Sequence, residues 1–191
     1  MTTWNTIHIL NASPDQLNNR EFIAACTDAY NAIKPKRAEA IEAALSVEGV
    51  LDLVLLDLLI GRESSRREVL RELVLAAEFC SSHQKWKMLK QFMTSQPGYF
   101  AELTEPLLKK LREELHSLIN DRNKFAHGDL FVDARDDSVL LRYYEAGTKY
   151  AKITEAFLND LIGRAFRSRE TLFKLHARFG TDLTTMQVSV S

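Results

Sequence analysis

From Leu107 to Ala126 the chain repeats apolar residues at helical spacing: Leu107, Leu108, Leu111, Leu115, Leu118, Ile119, Phe125 and Ala126. At about 100° per residue these positions fill an arc of about 120°, so one face belongs in a core. Lys109, Lys110, Glu113, Glu114, Asn120, Asp121 and Lys124 take the other side. Thr104 is placed to cap this helix, with Glu105-Pro106 in its first turn. Gly128 suits the left-handed residue that ends one. Only seven Gly and four Pro interrupt the 191 residues, which calls for long regular elements and mostly helix.

Arg122 breaks the pattern. It falls near the middle of the apolar arc, between Leu118 and Phe125. A guanidinium cannot lose its charge, so it needs a carboxylate, carbonyls, a water-filled cleft or a bound anion. Glu48 and Asp52, one turn apart on an upstream helix, are the candidate carboxylates. Such breaks tend to mark functional or strained sites. Five residues on comes His127. On a regular helix the two side chains point about 140° apart, so one chain does not aim both at one small target. Helix termination can re-aim the His, or a twofold partner can bring two Arg/His pairs to one cleft. The alternative is structural: Arg122 tied to a core carboxylate and His127 capping the negative end of the helix.

The segment RNKFAHG, Arg122 to Gly128, resembles the R-x4-H motif of the HEPN superfamily, with Asn123 at the polar position that often follows the Arg. That family comprises helical-bundle domains, many of them metal-independent endoribonucleases and toxins. The segment from Arg37 to Leu45 is similar to the opening helix of the mannitol-operon repressors, regulators that carry a similar RN-x-FAH segment. The likeness covers roughly residues 37–163. It implies an HEPN-like bundle and attack by the RNA 2′-OH on the adjacent phosphate without a metal or other cofactor. It also implies roles for His127 as general base or acid, for Arg122 in stabilising phosphoryl charge, and for Asn123 in orienting either side chain.

The remaining chain is read around that helix. Ile7-His8-Ile9 leaves Thr2 to Leu10 open between an arm and a short strand. Ser13-Pro14-Asp15-Gln16 forms a helix start, with Ser13 and Gln16 as a capping box. That helix is expected to stop at Ile33, before Pro35. A second helix follows over 36–60, apolar nearly all round in its second half and ended by Gly61. Arg66 to Cys80 and Ser81 to Thr94 read as two further helices, and Pro97-Gly98 as a turn. Asp133 to Asp137 reads as an exposed loop. Val139–Tyr144, Ala146-Gly147 and Lys149–Ile153 read as a hairpin. The last helix runs from Thr154 to about Phe179. The expected organisation is an arm and helix over 1–35, a bundle over 36–180 with one short β-hairpin after the motif helix, and a flexible tail over 181–191.

The net charge of −1 gives no bulk attraction to nucleic acid, so a basic site has to be local. Lys85, Lys87 and Lys90 flank Trp86 in a stretch without an acid, and with Lys124 they are the RNA-binding candidates. The alternative has Trp86 in the core and the lysines on a solvated face. Arg164, Arg167, Arg169, Lys174 and Arg178 form a second basic face. Cys80-Ser-Ser-His83 has metal-ligand spacing without a second ligand pair, so no metal site is expected. Cys26 and Cys80, far apart and outside any CxxC, read as reduced, buried thiols of a cytoplasmic protein. No run is long and apolar enough for a membrane span, since Asp52 and Asp57 interrupt the greasiest one. The resemblance implies one of two functions: a metal-independent endoribonuclease acting as a homodimer, of toxin or defence type, or a non-catalytic regulatory module held by a cognate antitoxin or regulatory protein.

Overall fold

The computed structural model of the chain describes residues 7–62, 64–77, 79–101 and 103–186. It is mostly helical with one small sheet. Two compact units divide it: Met1–Glu42 with Asn120–Ile162, and Ala43–Ile119 with Gly163–Ser191.

In the first unit, β1 (His8–Leu10) precedes a short α1 (Pro14–Asn18). The Ser13 and Gln16 capping box forms as its residue types dictate: Ser13 Oγ accepts from the Gln16 amide, and the Gln16 side chain accepts from the Ser13 amide. α2 then runs without interruption from Arg20 to Ile60. The stop expected before Pro35, and with it a boundary at 35, is absent. Proline removes one helical bond, to the carbonyl of Asn31. Asn31, Lys34 and Pro35 are all exposed, so water can satisfy the freed carbonyl.

The sheet is larger than the single hairpin expected. β2 (Asp129–Asp133), β3 (Ser138–Tyr144) and β4 (Thr148–Lys152) form an antiparallel meander, and β1 adds in parallel to β2, giving the order β1-β2-β3-β4. Phe131 faces His8 on one side and Leu140 on the other. The β3–β4 hairpin lies where the sequence places it, with Ala146 and Gly147 both at positive φ in the turn. The segment read as a loop from Asp133 behaves differently. Asp133 is the buried last residue of β2, and only Arg135, Asp136 and Asp137 are exposed. Its carboxylate accepts from Asn11 Nδ2 at 3.1 Å and from Arg135 Nε and Nη2, which fastens the end of β1 to the β2–β3 turn. Those bonds hold the Asp133 carboxyl far below the usual carboxylate range.

The second unit contains the latter part of α2, α3 (Arg67–Leu70), a π-helical turn (Arg71–Leu75), α4 (Ser82–Ser95) and a 3-10 turn (Pro97–Phe100). It also takes α5 (Glu105–His127) as far as Ile119, and α6 (Glu155–Met186) from Gly163. Val50, Leu51, Val54, Leu55, Leu89, Leu115, Leu172 and Leu175 are among its core residues. Gly61, at φ 73°, ends α2 as expected. The helix read over 66–80 is cut short. Val69 and Leu73, at helical spacing in that stretch, are exposed, and the wider π turn brings Leu75 inward instead. Asp57 sits in the greasiest part of α2 because Arg67 Nη1 and His176 Nδ1 each approach its carboxylate to 2.6 Å. Among the described residues no helix is long and apolar enough to cross a membrane. Cys26 and Cys80 are free and buried, and burial raises both thiol pKa values. α6 continues seven residues beyond Phe179 to Met186, so the tail expected from residue 181 is helical at its start; 187–191 and Thr2 to Thr6 lie outside the described residues.

Candidate functional site

The last turn of α5 is held in helical form by a residue from α2. Arg37 donates from Nε to the Phe125 carbonyl at 3.1 Å and from Nη2 to the same oxygen and to the Gly128 carbonyl at 2.7 Å. These carbonyls have no intrahelical partner at a helix C-terminus, and a guanidinium fork suits them. Phe125 is buried, with its ring centroid 6.0 Å from that of Phe157. Gly128 does not adopt the left-handed conformation expected of it, since only Gly61 and Gly147 do so among the described glycines. Its lack of a side chain answers a close approach instead: a Cβ would lie 2.5 Å from the Lys124 carbonyl oxygen and 2.7 Å from that of Arg142.

Because the helix stays regular through His127, the imidazole is not re-aimed. His127 is exposed and lines a cleft of about 340 Å³ with Asn120, Asn123, Lys124, Tyr143, Tyr144 and Glu145. Lys124 Nζ stands 4.9 Å from the Tyr143 ring centroid and 3.8 Å from a Glu145 oxygen. The cleft thus offers an imidazole, an ammonium for an anion, and two phenol rings for stacking.

Arg122 is not among the residues lining that cleft. It is half-buried, Nη1 donates to Asn123 Oδ1 at 3.0 Å, and Nε is buried with no hydrogen-bond partner. Asn123 therefore links the two motif residues, bonded to one and sharing a cleft with the other. The carboxylate partner expected for Arg122 is replaced by this neutral amide. Glu48 and Asp52 serve another cation.

That cation is Lys85, one of the lysines read as RNA-binding. It is only 4% exposed, with Nζ 3.1 Å from Glu48 Oε1 and 2.8 Å from Asp52 Oδ1. Ser82 Oγ donates to the other Glu48 oxygen at 2.7 Å. Burial alone would lower the pKa of Lys85, but the hydrogen bonds and charges of Asp52 and Glu48 outweigh it and raise it. Burial also raises the pKa of Asp52, against the pull of Lys85. Lys85 is thus a core ion pair and not an RNA contact. Lys87 and Lys90 are exposed, and Trp86 is half-buried with its indole N–H donating to the Arg112 carbonyl at 3.1 Å. On α6, Arg167 pairs with Glu114 and Lys174 with Glu170, so the second basic face is partly neutralised.

Arg37, Tyr143 and Tyr144 were not legible as site residues. Arg37 looks like an ordinary helix-surface cation, and the tyrosines like the end of an exposed strand. Comparison with family models, with curated proteins and with solved structures finds no significant match to this chain.

Proposed function

We propose that the protein is a metal-independent endoribonuclease of HEPN type whose site is completed by a second copy of the chain. The observation that supports this most is His127: exposed on the last turn of α5 and lining one cleft with Asn123 and Lys124. RNA carries its own nucleophile. His127 takes the proton of the 2′-OH as that oxygen bonds to the adjacent phosphorus, the bond to the 5′ oxygen breaks, and solvent protonates the leaving alkoxide. The products are a 2′,3′-cyclic phosphate and a 5′-hydroxyl. Lys124 holds the phosphate, and the tyrosines take a flanking base. Arg122 of a second protomer supplies the charge that stabilises the crowded phosphoryl oxygens. Within one chain the motif residues diverge by about 140° on a regular helix, which is why a second copy is needed. Purified protein incubated with mixed RNA in excess chelator tests the reading: it predicts cyclic-phosphate ends, and intact RNA rejects it.

The same divergence favours a second reading, in which the segment belongs to a non-catalytic module that docks a regulatory partner. In that case His127→Ala changes partner affinity and no RNA is cut by the parent protein.

A further inference from the structure

A second cleft lies wholly within the unit Ala43–Ile119 with Gly163–Ser191. It also measures about 340 Å³, and Trp86, Lys90, Lys109, Arg112, Glu113 and His116 line it. α4 supplies the first two. α5 supplies the rest, with Arg112 and Glu113 three and four residues after Lys109 and His116 four and three after them, which places them on one helical face. The floor is aromatic: Trp86 stacks on His116 with centroids 4.7 Å apart and planes 27° from parallel, and His83 lies 5.3 Å from the indole. The bond from the indole N–H to the Arg112 carbonyl fixes the plane of this floor. The rim is cationic. Lys90 Nζ stands 5.5 Å from the indole centroid, and Lys90 and Lys109 are exposed on flexible stems. Arg112 is tied to Glu105 at 3.0 Å, and Glu113 is the lone carboxylate among the lining residues. A fixed aromatic plane ringed by mobile cations matches the chemistry of a nucleotide, a flat base joined to a phosphate.

We propose that this cleft binds one nucleotide unit of single-stranded RNA, with the base against the Trp86–His116 floor and the phosphate between Lys90, Lys109 and Arg112. The choice of RNA rests on the ribonuclease reading. The site itself is defined by binding alone.

The chain has two tryptophans, so Trp4→Phe leaves Trp86 as the reporter. His127→Ala is added to prevent hydrolysis. Titration of this protein with an oligoadenylate decamer is expected to quench Trp86 emission. One neutralised phosphate gives a slope of about −0.7 in log K against log salt. Lys90→Glu with Lys109→Glu, both at exposed positions, is expected to weaken binding by about tenfold or more and flatten the slope. His116→Ala, which removes the ring stacked on Trp86, should weaken it about fivefold or more. Trp86 emission that neither the decamer nor adenosine monophosphate changes, or quenching equally strong in the Lys90/Lys109 variant, overturns the site. Quenching by adenosine monophosphate but not by the decamer overturns the assignment to RNA. Because the protein tested cannot hydrolyse, failure here leaves the cleavage reading standing, and failure of cleavage leaves this binding measurement intact.

Discussion

Lys85 and Arg122 are both cations placed among the inward positions of amphipathic helices, and their surroundings differ. Lys85 lies in the buried stripe Ser82-Lys85-Leu89-Met93 of α4 and is met by two carboxylates. Arg122 lies between buried Leu118 and Phe125 on α5, is met by one amide, and keeps a buried Nε without a partner. A buried ammonium paired with two carboxylates is part of the scaffold, even though Asp52 Oδ1, 2.8 Å from Lys85 Nζ, accepts no hydrogen bond. A guanidinium left with an unmet donor does little for the fold, and its place among apolar residues is better explained by what it binds. The contrast supports assigning structure to the Lys85 network and chemistry to the motif.

The largest expected effect sharpens the scaffold side. Lys85→Met leaves Glu48 and Asp52 facing each other without a cation and should cost about 3–5 kcal/mol in urea unfolding. The loss should shrink in acid. Asp52 already has a raised folded pKa, and without Lys85 it rises further, so protonation of the folded state offsets the damage as pH falls through that value. In the parent protein Lys85 titrates the other way. Its raised pKa contributes stability that is fully present below the ordinary lysine value and lost as pH rises through the folded one.

This contrast also marks what the sequence could and could not disclose. Signals confined to a few residues were legible: the Ser13–Gln16 box, the Gly61 stop, the Ala146-Gly147 turn and the amphipathic run of α5. Partnerships across long separations were not. Lys85 finds Glu48 and Asp52 at 37 and 33 residues' distance, and Arg37 finds the end of α5 at 88 and 91. β1 pairs with a strand more than a hundred residues away through three residues, too few to show an alternation. Pro35 misled because a local rule met a helix whose solvent side could absorb one lost bond. At the site, His127 and Asn123 were visible from the motif, whereas the aromatic wall came from a different element of the sheet.

Arg37→Met tests the support beneath the motif. Removing charge-assisted bonds to two carbonyls should cost about 1.5–3 kcal/mol and increase hydrogen exchange in the last turn of α5. If RNA is cleaved, the rate should fall with it, since His127 sits on that turn. Unchanged exchange there would mean the Arg37 bonds do not hold the site.

The smallest effect on stability is the most telling. Arg122→Met removes the unmet donor, leaves no carboxylate unpaired among the described residues, and should change stability by no more than about 0.5 kcal/mol in either direction. A loss of several kcal/mol would place Arg122 with Lys85 in the scaffold and break the comparison.

The central claim is a site shared between two copies, with Arg122 from one and His127 from the other. Mixing separately inactive Arg122→Ala and His127→Ala proteins, with time for subunits to exchange, tests it most directly. Each mixed dimer then carries one intact composite site and one doubly impaired one. Random pairing makes half the dimers mixed, so RNA cleavage in chelator should return to about a quarter of the parent rate. No recovery from a mixture whose subunits have exchanged, when the parent protein is active, would contradict the shared site.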